Sequence, residues 1–165
     1  MIISRIFNIK NFILLKYMKM KNKSLVLYLL FFLFASNAMS QIISLEDYLL
    51  NYDYESRKDM KIKSEELVDL LNSGKAQLID IRFEEEYQSW NMPFAMSIPL
   101  PELPNNLHMI HKDKIIVTAC PHNDRAIIAM TYLKTMGYQV KYLSDGLLGL
   151  ADYLRGDNAR EFINK

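Results

Sequence analysis

The sequence predicts an α/β domain with a mainly parallel central sheet flanked by helices on both faces. Strand-like and helix-like segments alternate from residue 60 onward, which is the pattern of parallel strands joined by helical crossovers. The run Lys114 to Ala119 (KIIVTA) is β-branched and bounded by polar residues, as expected of a strand buried on both faces. Gly74 and Gly137 each follow a helix-compatible stretch, where a left-handed residue ends a helix.

Taken in order, Ser44 is expected to cap one short helix, LEDYLLNYDYE, with Glu46 and Asp47 at its positive end. Tyr48, Tyr52 and Tyr54 would form an aromatic face of that helix against the core. Met60 to Lys63 alternates as a short strand, and Ser64 is placed as the cap of EELVDLLNS. Gln77 to Ile81 (QLIDI) is a strand with a polar break at Asp80, followed by the helix-compatible FEEEYQSW. Pro93, Pro99, Pro101 and Pro104 exclude long helices from the middle of the chain, leaving room for a short strand at Ala95 to Ile98. After KIIVTA comes AIIAMTYLKTM, whose apolar positions 127, 128, 130, 133 and 136 share one helical face. Gln139 to Leu143 is a further strand, Asp145-Gly146 a turn, and LLGLADYLR the last helix. These boundaries set residues 41–58 apart as a helical extension, 59–157 as the domain and 158–165 as a C-terminal tail.

The formal net charge of +1, from 20 basic and 19 acidic residues, hides two different segments. Six of the basic residues and none of the acidic ones fall in residues 1–40, so residues 41–165 carry a net −5. An acidic body argues against nucleic acid or an anionic membrane surface as partner. The single cysteine excludes an intramolecular disulfide and a zinc site built from several thiolates.

Residues 1–40 have the layout of a secretory signal peptide. Four lysines in KYMKMKNK precede the eleven-residue apolar run Leu25 to Ala35, and SNAMSQ follows. Ala38 and Ser40 satisfy the small-residue rule for a cut between Ser40 and Gln41. The run is shorter than the roughly 20 residues of a spanning helix. An uncleaved N-terminal anchor is the other reading, and Met18 or Met20 are alternative starts to Met1. Both readings export the body, most simply to a periplasm, and a membrane enters only if the segment is retained.

Cys120 ends the strongest strand and precedes a helix, the place where α/β sheets gather their sites. Backbone N–H groups of residues 121–125 (Pro121 excepted, having none) can converge there into an anion nest at a helix N-terminus. A thiol so placed, with Arg125 beside it, is expected to have a lowered pKa and to be a nucleophile. A lone cysteine is otherwise a small buried hydrophobe. Expected export tips the balance toward use, because a free thiol in an oxidising compartment is a liability.

With LIDIRFEEEY, the proline-rich middle and KIIVTACPHNDRAIIAMTYLKTMGYQVKYLSDGLLGL, residues 60 to 156 or so resemble a single rhodanese (sulfurtransferase) domain. Cys120 and Arg125 match the first and sixth positions of that family's active-site loop. Asp80 and Arg82 resemble its strand-ending aspartate and arginine, Glu86-Tyr87 its acidic-aromatic pair, Pro93 the proline of its middle turn, and YLSDGLLGL its glycine pair. Asn123 stands where many members have glycine; its tolerance of a left-handed backbone would let the loop close. Trp90, Asn91, Phe94 and Leu150 also depart from the usual residues.

The resemblance implies that Cys120 takes a sulfane sulfur from thiosulfate or a persulfide and passes it to a thiol or other nucleophilic acceptor. Pro121, His122, Asn123, Asp124 and Arg125 would form the substrate loop, with Asp80, Arg82 and Glu86 as structural support. Asp80 would receive loop N–H groups and Arg82 would pair with a carboxylate. The chemistry is covalent catalysis with electrostatic stabilisation, and needs neither metal nor cofactor. A redox partner protein could keep the thiol reduced. The alternatives are a noncatalytic sulfur-binding or sensing module, and a phosphatase or arsenate reductase on the same fold. Phosphatases place five residues between cysteine and arginine, whereas four stand here. Asp124 sets a negative charge beside the nest, either pairing with Arg125 or a lysine, or disfavouring small dianionic donors such as thiosulfate and favouring a protein or low-molecular-weight persulfide. His108 and His111 have the spacing of metal ligands but no third ligand in sight, and surface histidines are the simpler reading.

Overall fold

A computed structural model describes residues 42–164 of the chain. The signal-or-anchor segment and the expected cut after Ser40 lie outside the described residues. The elements are α1 (Leu45–Leu50), α2 (Tyr54–Asp59), β1 (Lys61–Ile62), α3 (Ser64–Asn72), β2 (Ala76–Asp80), α4 (Glu84–Ser89) and β3 (Met96–Ser97), then two 3₁₀ turns over Leu100–Asn105 and Leu107–Met109. They continue with β4 (Ile115–Ala119), α5 (Asp124–Thr135), β5 (Val140–Leu143), α6 (Gly146–Tyr153) and α7 (Gly156–Ile163). The five strands form one parallel sheet in the order β1-β5-β4-β2-β3, so the predicted fold class holds and β4 is central.

Alternation along the strands divides the core between the two faces of the sheet. Ile79, Ile116 and Val140 join Ala126, Ala129, Met130 and Leu133 of α5 on one side. Leu78, Val117 and Leu143 join Leu67 and Val68 of α3 and Leu147 and Leu150 of α6 on the other. Both faces being covered explains why β2 and β4 read as nearly continuous apolar runs. Gly74 and Gly137 take the expected left-handed φ of +69° and +81° after α3 and α5.

Several local expectations are corrected. The N-terminal helix is two helices, because the Asp53 carboxylate accepts from the Ser56 N–H at 2.8 Å and starts a new one. Ser44 does cap the first, accepting from Asp47 N–H at 2.9 Å. The tyrosines do not form a core face: Tyr54 and Tyr52 are exposed, and Tyr52 meets Tyr48 edge-on at 6.1 Å. Ser64 is the first residue of α3 rather than its cap; its N–H donates to Asp145 Oδ2 at 3.2 Å, while its buried hydroxyl has no partner among the described residues. The buried face of α5 runs through Ala126, Ala129, Met130 and Leu133, leaving Ile128 exposed. Two alanines on the inner face, which an apolar-bulk pattern discounts, hold the helix close to the sheet. Beyond residue 157 the chain continues in α7, whose Phe162 packs edge-on against Phe94 at 4.8 Å.

Candidate active site

Cys120 lies immediately beyond the carboxyl end of β4 and is fully buried. The turn after it is fixed largely by main chain. Helix α6 begins so close by that its Leu147 and Leu148 N–H groups donate to the carbonyls of Cys120 and Pro121, at 2.9 and 3.3 Å. These are helix-start donors that lack partners within α6. The approach requires Gly146, which has φ +67° and whose missing Cβ would land on the carbonyl oxygens of Pro121 and His122. From the other side, the buried Thr118 hydroxyl donates to the Ala126 carbonyl at 2.8 Å and ties β4 to the first turn of α5. Asn123 Nδ2 donates to the Ser144 carbonyl at 3.3 Å.

The loop thus closes without the left-handed residue expected at Asn123, whose φ is −154°. Among the described residues, only glycines have positive φ. Pro121 and Asn123 are half-buried, and His122 and Asp124 are exposed.

The charges around the sulfur differ from expectation. Arg125 turns to Glu86 of α4, with Nη1 and Nη2 at 2.6 and 2.9 Å from its two carboxylate oxygens. That pairing drives the Glu86 carboxyl down to about 2 and raises the Arg125 guanidinium further above its ordinary value. The Cys120 thiol instead meets Asp124 Oδ1 at 3.4 Å. Burial pushes the thiol pKa up; the N–H of Ala126 opposes this, Asp124 adds to the rise, and the N–H groups of Arg125 and His122 oppose it further. The lowered thiol pKa predicted from the sequence is therefore reversed: desolvation outweighs the nest, and the nearby cation is already paired.

Asp80 and Arg82 form a buried ion pair, Nη2 to Oδ2 at 2.6 Å, with Nε also donating to both carboxylate oxygens. Arg82 pairs with a carboxylate as expected. The main-chain donor to Asp80 is the N–H of Arg82 itself at 3.1 Å, not a group of the 120–125 loop. Arg82 also donates to the Trp90 carbonyl at 2.8 Å and lies 4.1 Å from the centre of the Trp90 ring, so this departure from the usual residue type holds the arginine. The pair supports the segment that leads into α4 and hence Glu86.

The structure brings Cys120, Asp124, Arg125 and Glu86 together at one end of the sheet, with Asp80 and Arg82 beneath α4. Sequence reasoning missed Thr118, Leu147 and Leu148. The Asp145-Gly146 turn was a signal, but main-chain N–H donors leave no mark in residue identity. A cleft of about 560 Å³ lies elsewhere, between α2 and α5, lined by residues such as Tyr48, Asp59 and Lys134. It contains none of the reactive groups just described, so the chemistry points to the loop.

Residues 63–152 match the rhodanese-like domain model. The chain belongs to the rhodanese-like family. It is 31% identical over 87 residues to thiosulfate:glutathione sulfurtransferase of Homo sapiens, covering 44% of this chain and 76% of that protein. It is 35% identical over 85 residues to an HTH-type transcriptional regulator of Mycobacterium tuberculosis, covering 50% of this chain but only 38% of the regulator. The structure is similar to a rhodanese-like domain protein from Staphylococcus aureus, with a TM-score of 0.51 and 27% identity over 55% of this chain and 89% of that one. The matched segment makes up most of the human sulfurtransferase but a minor part of the regulator.

Proposed function

We propose that this rhodanese-like protein is a sulfurtransferase that carries sulfur as a Cys120 persulfide. The observation that carries the reading is the Cys120 sulfur at the end of the central strand, beside a helix start whose N–H groups at Ala126, Arg125 and His122 favour its anionic form. A persulfide places its negative charge on the outer sulfur, and such donors stabilise an anion without moving. In the first half-reaction Cys120 Sγ attacks the sulfane sulfur, the donor's S–S bond breaks, and the remainder leaves as thiolate or sulfite. In the second, a thiol or other thiophilic acceptor removes the outer sulfur and restores the Cys120 thiolate. No electron leaves or enters over the cycle. Pro121 to Arg125 form the substrate loop, and the Glu86–Arg125 and Asp80–Arg82 pairs hold it.

Residues 1–40 serve in this reading as an export signal cleaved near Ser40-Gln41, placing the enzyme in the periplasm, where a redox partner protein keeps Cys120 reduced. The buried thiol favours a second reading, a noncatalytic sulfur-sensing module, since a nucleophile needs access to its donor.

Mass spectrometry of the protein after incubation with thiosulfate or an organic persulfide separates these. The enzyme reading expects a gain of one sulfur on Cys120, removed by cyanide as thiocyanate with multiple turnovers and absent from Cys120→Ser. Loading without turnover selects the sensor, and no adduct with any sulfane donor overturns both.

A further inference from the structure

The positive charges near Cys120 are already spent. Arg125 is held by both oxygens of Glu86, and Arg82 is buried against both oxygens of Asp80. His122, the other basic side chain of the loop, is exposed. The charged group in contact with the sulfur is the Asp124 carboxylate, 3.4 Å away. It is ionised at neutral pH: the Arg125 N–H and the Cys120 thiol both hold its carboxyl below the usual range. An incoming donor therefore meets main-chain dipoles and a net charge of one negative unit summed over Asp124, Arg125 and Glu86.

We infer that Asp124 is a specificity-determining residue that selects an organic persulfide, R–S–SH, over the thiosulfate dianion as the sulfur donor of this site. The inference rests on the sulfurtransferase reading above. Two arguments support the assignment. Thiosulfate brings two negative charges toward the carboxylate, whereas the sulfane end of a persulfide brings one or none, so repulsion falls mainly on thiosulfate.

The second argument concerns the proton. With a persulfide donor, a bond forms between Cys120 Sγ and the outer sulfur, the R–S–S bond breaks, and the thiol proton of Cys120 must reach the departing thiolate. The products are Cys120–S–SH and R–SH, and no external oxidant or reductant is needed. Asp124 already accepts that proton in a hydrogen bond, and the thiolate of an ordinary thiol, with a pKa of about 8.5, takes it at neutral pH. Sulfite leaves as a stable anion and gains little from such a relay. The same carboxylate therefore hinders one donor and assists the other.

The test compares kcat/KM for thiosulfate and for glutathione persulfide, with cyanide as the common acceptor, in the intact protein and in Asp124→Asn at low salt. The wild type should prefer the persulfide, and Asp124→Asn should shift the ratio toward thiosulfate by about tenfold, because one unit of charge is removed next to the sulfur. Equal kcat/KM for the two donors in the wild type, or an unchanged ratio in the variant, overturns the role of Asp124 while leaving a sulfurtransferase. If Cys120 turns over neither donor, the enzyme reading falls as well. Should Asp124→Asn fail to fold, Asp124→Ser removes the same charge at this exposed first position of α5, and an unchanged donor ratio there overturns the inference.

Discussion

The guanidinium of Arg125 and the carboxylate of Glu86 form a two-pronged ion pair that joins the first turns of α5 and α4 across 39 positions of sequence. Arg125 therefore acts here as a fastener, and its charge reaches the sulfur already compensated. Because the two side chains are 25% and 36% exposed, solvent screening limits the coupling to about 1 kcal/mol, well below what the depressed Glu86 carboxyl suggests. A double-mutant cycle with Arg125→Gln and Glu86→Gln in urea denaturation should return a coupling of that size. Additive single-mutant effects would contradict the pairing.

The same pair gives stability a defined pH dependence. The Glu86 carboxyl titrates at about 2 in the folded protein, against an ordinary 4.5. Its contribution is thus complete above pH 4.5 and is lost as the pH falls from there toward 2. The stability difference between wild type and Glu86→Gln should shrink as unfolding is followed from pH 6 to about pH 3. A difference constant over that range would show that Glu86 titrates normally.

Cys120 should alkylate as a reluctant thiol. Burial raises its pKa and Asp124 adds to the rise, so the midpoint of iodoacetamide reactivity should lie above the roughly 8.5 of a free cysteine. Removing the carboxylate in Asp124→Asn should move that midpoint down. A wild-type midpoint below that of a free cysteine would restore the activated thiolate expected from the sequence.

Gly146 and Gly74 share a left-handed φ, +67° and +69°, but differ in surroundings. A Cβ at Gly74 meets open space, so Gly74→Ala should cost about 1 kcal/mol, the backbone penalty alone. At Gly146 the Cβ also collides with the carbonyls of Pro121 and His122, and Gly146→Ala should cost more than about 3 kcal/mol and abolish sulfur loading. Comparable melting points for the two variants would show that the loop does not press on α6.

The strand alternation, the helix-ending glycines and the position of Cys120 were legible because each depends on residue type and spacing. The sign of the Cys120 pKa shift was not. It depends on whether Arg125 faces the sulfur or Glu86, and their pairing spans 39 positions with no local pattern to announce it. For a related reason the glycine-like position of Asn123 points to a left-handed turn, whereas donors from α6 close the loop with a negative φ there. On α5, apolarity alone places Ile128 inward, whereas Ala126 and Ala129 hold the inner face, because close packing on a sheet rewards small volume.

The bonds from Leu147 and Leu148 to the carbonyls of Cys120 and Pro121 join backbone to backbone. Substitutions of the exposed His122 or Asp124 side chains remove neither partner of those bonds and leave them in place. The shape of the loop and its chemical character are therefore encoded at separate positions. Such a division lets one cradle be refitted for a different sulfur donor by changing one or two exposed residues, with the cost of holding the cradle borne once by Gly146 and the start of α6.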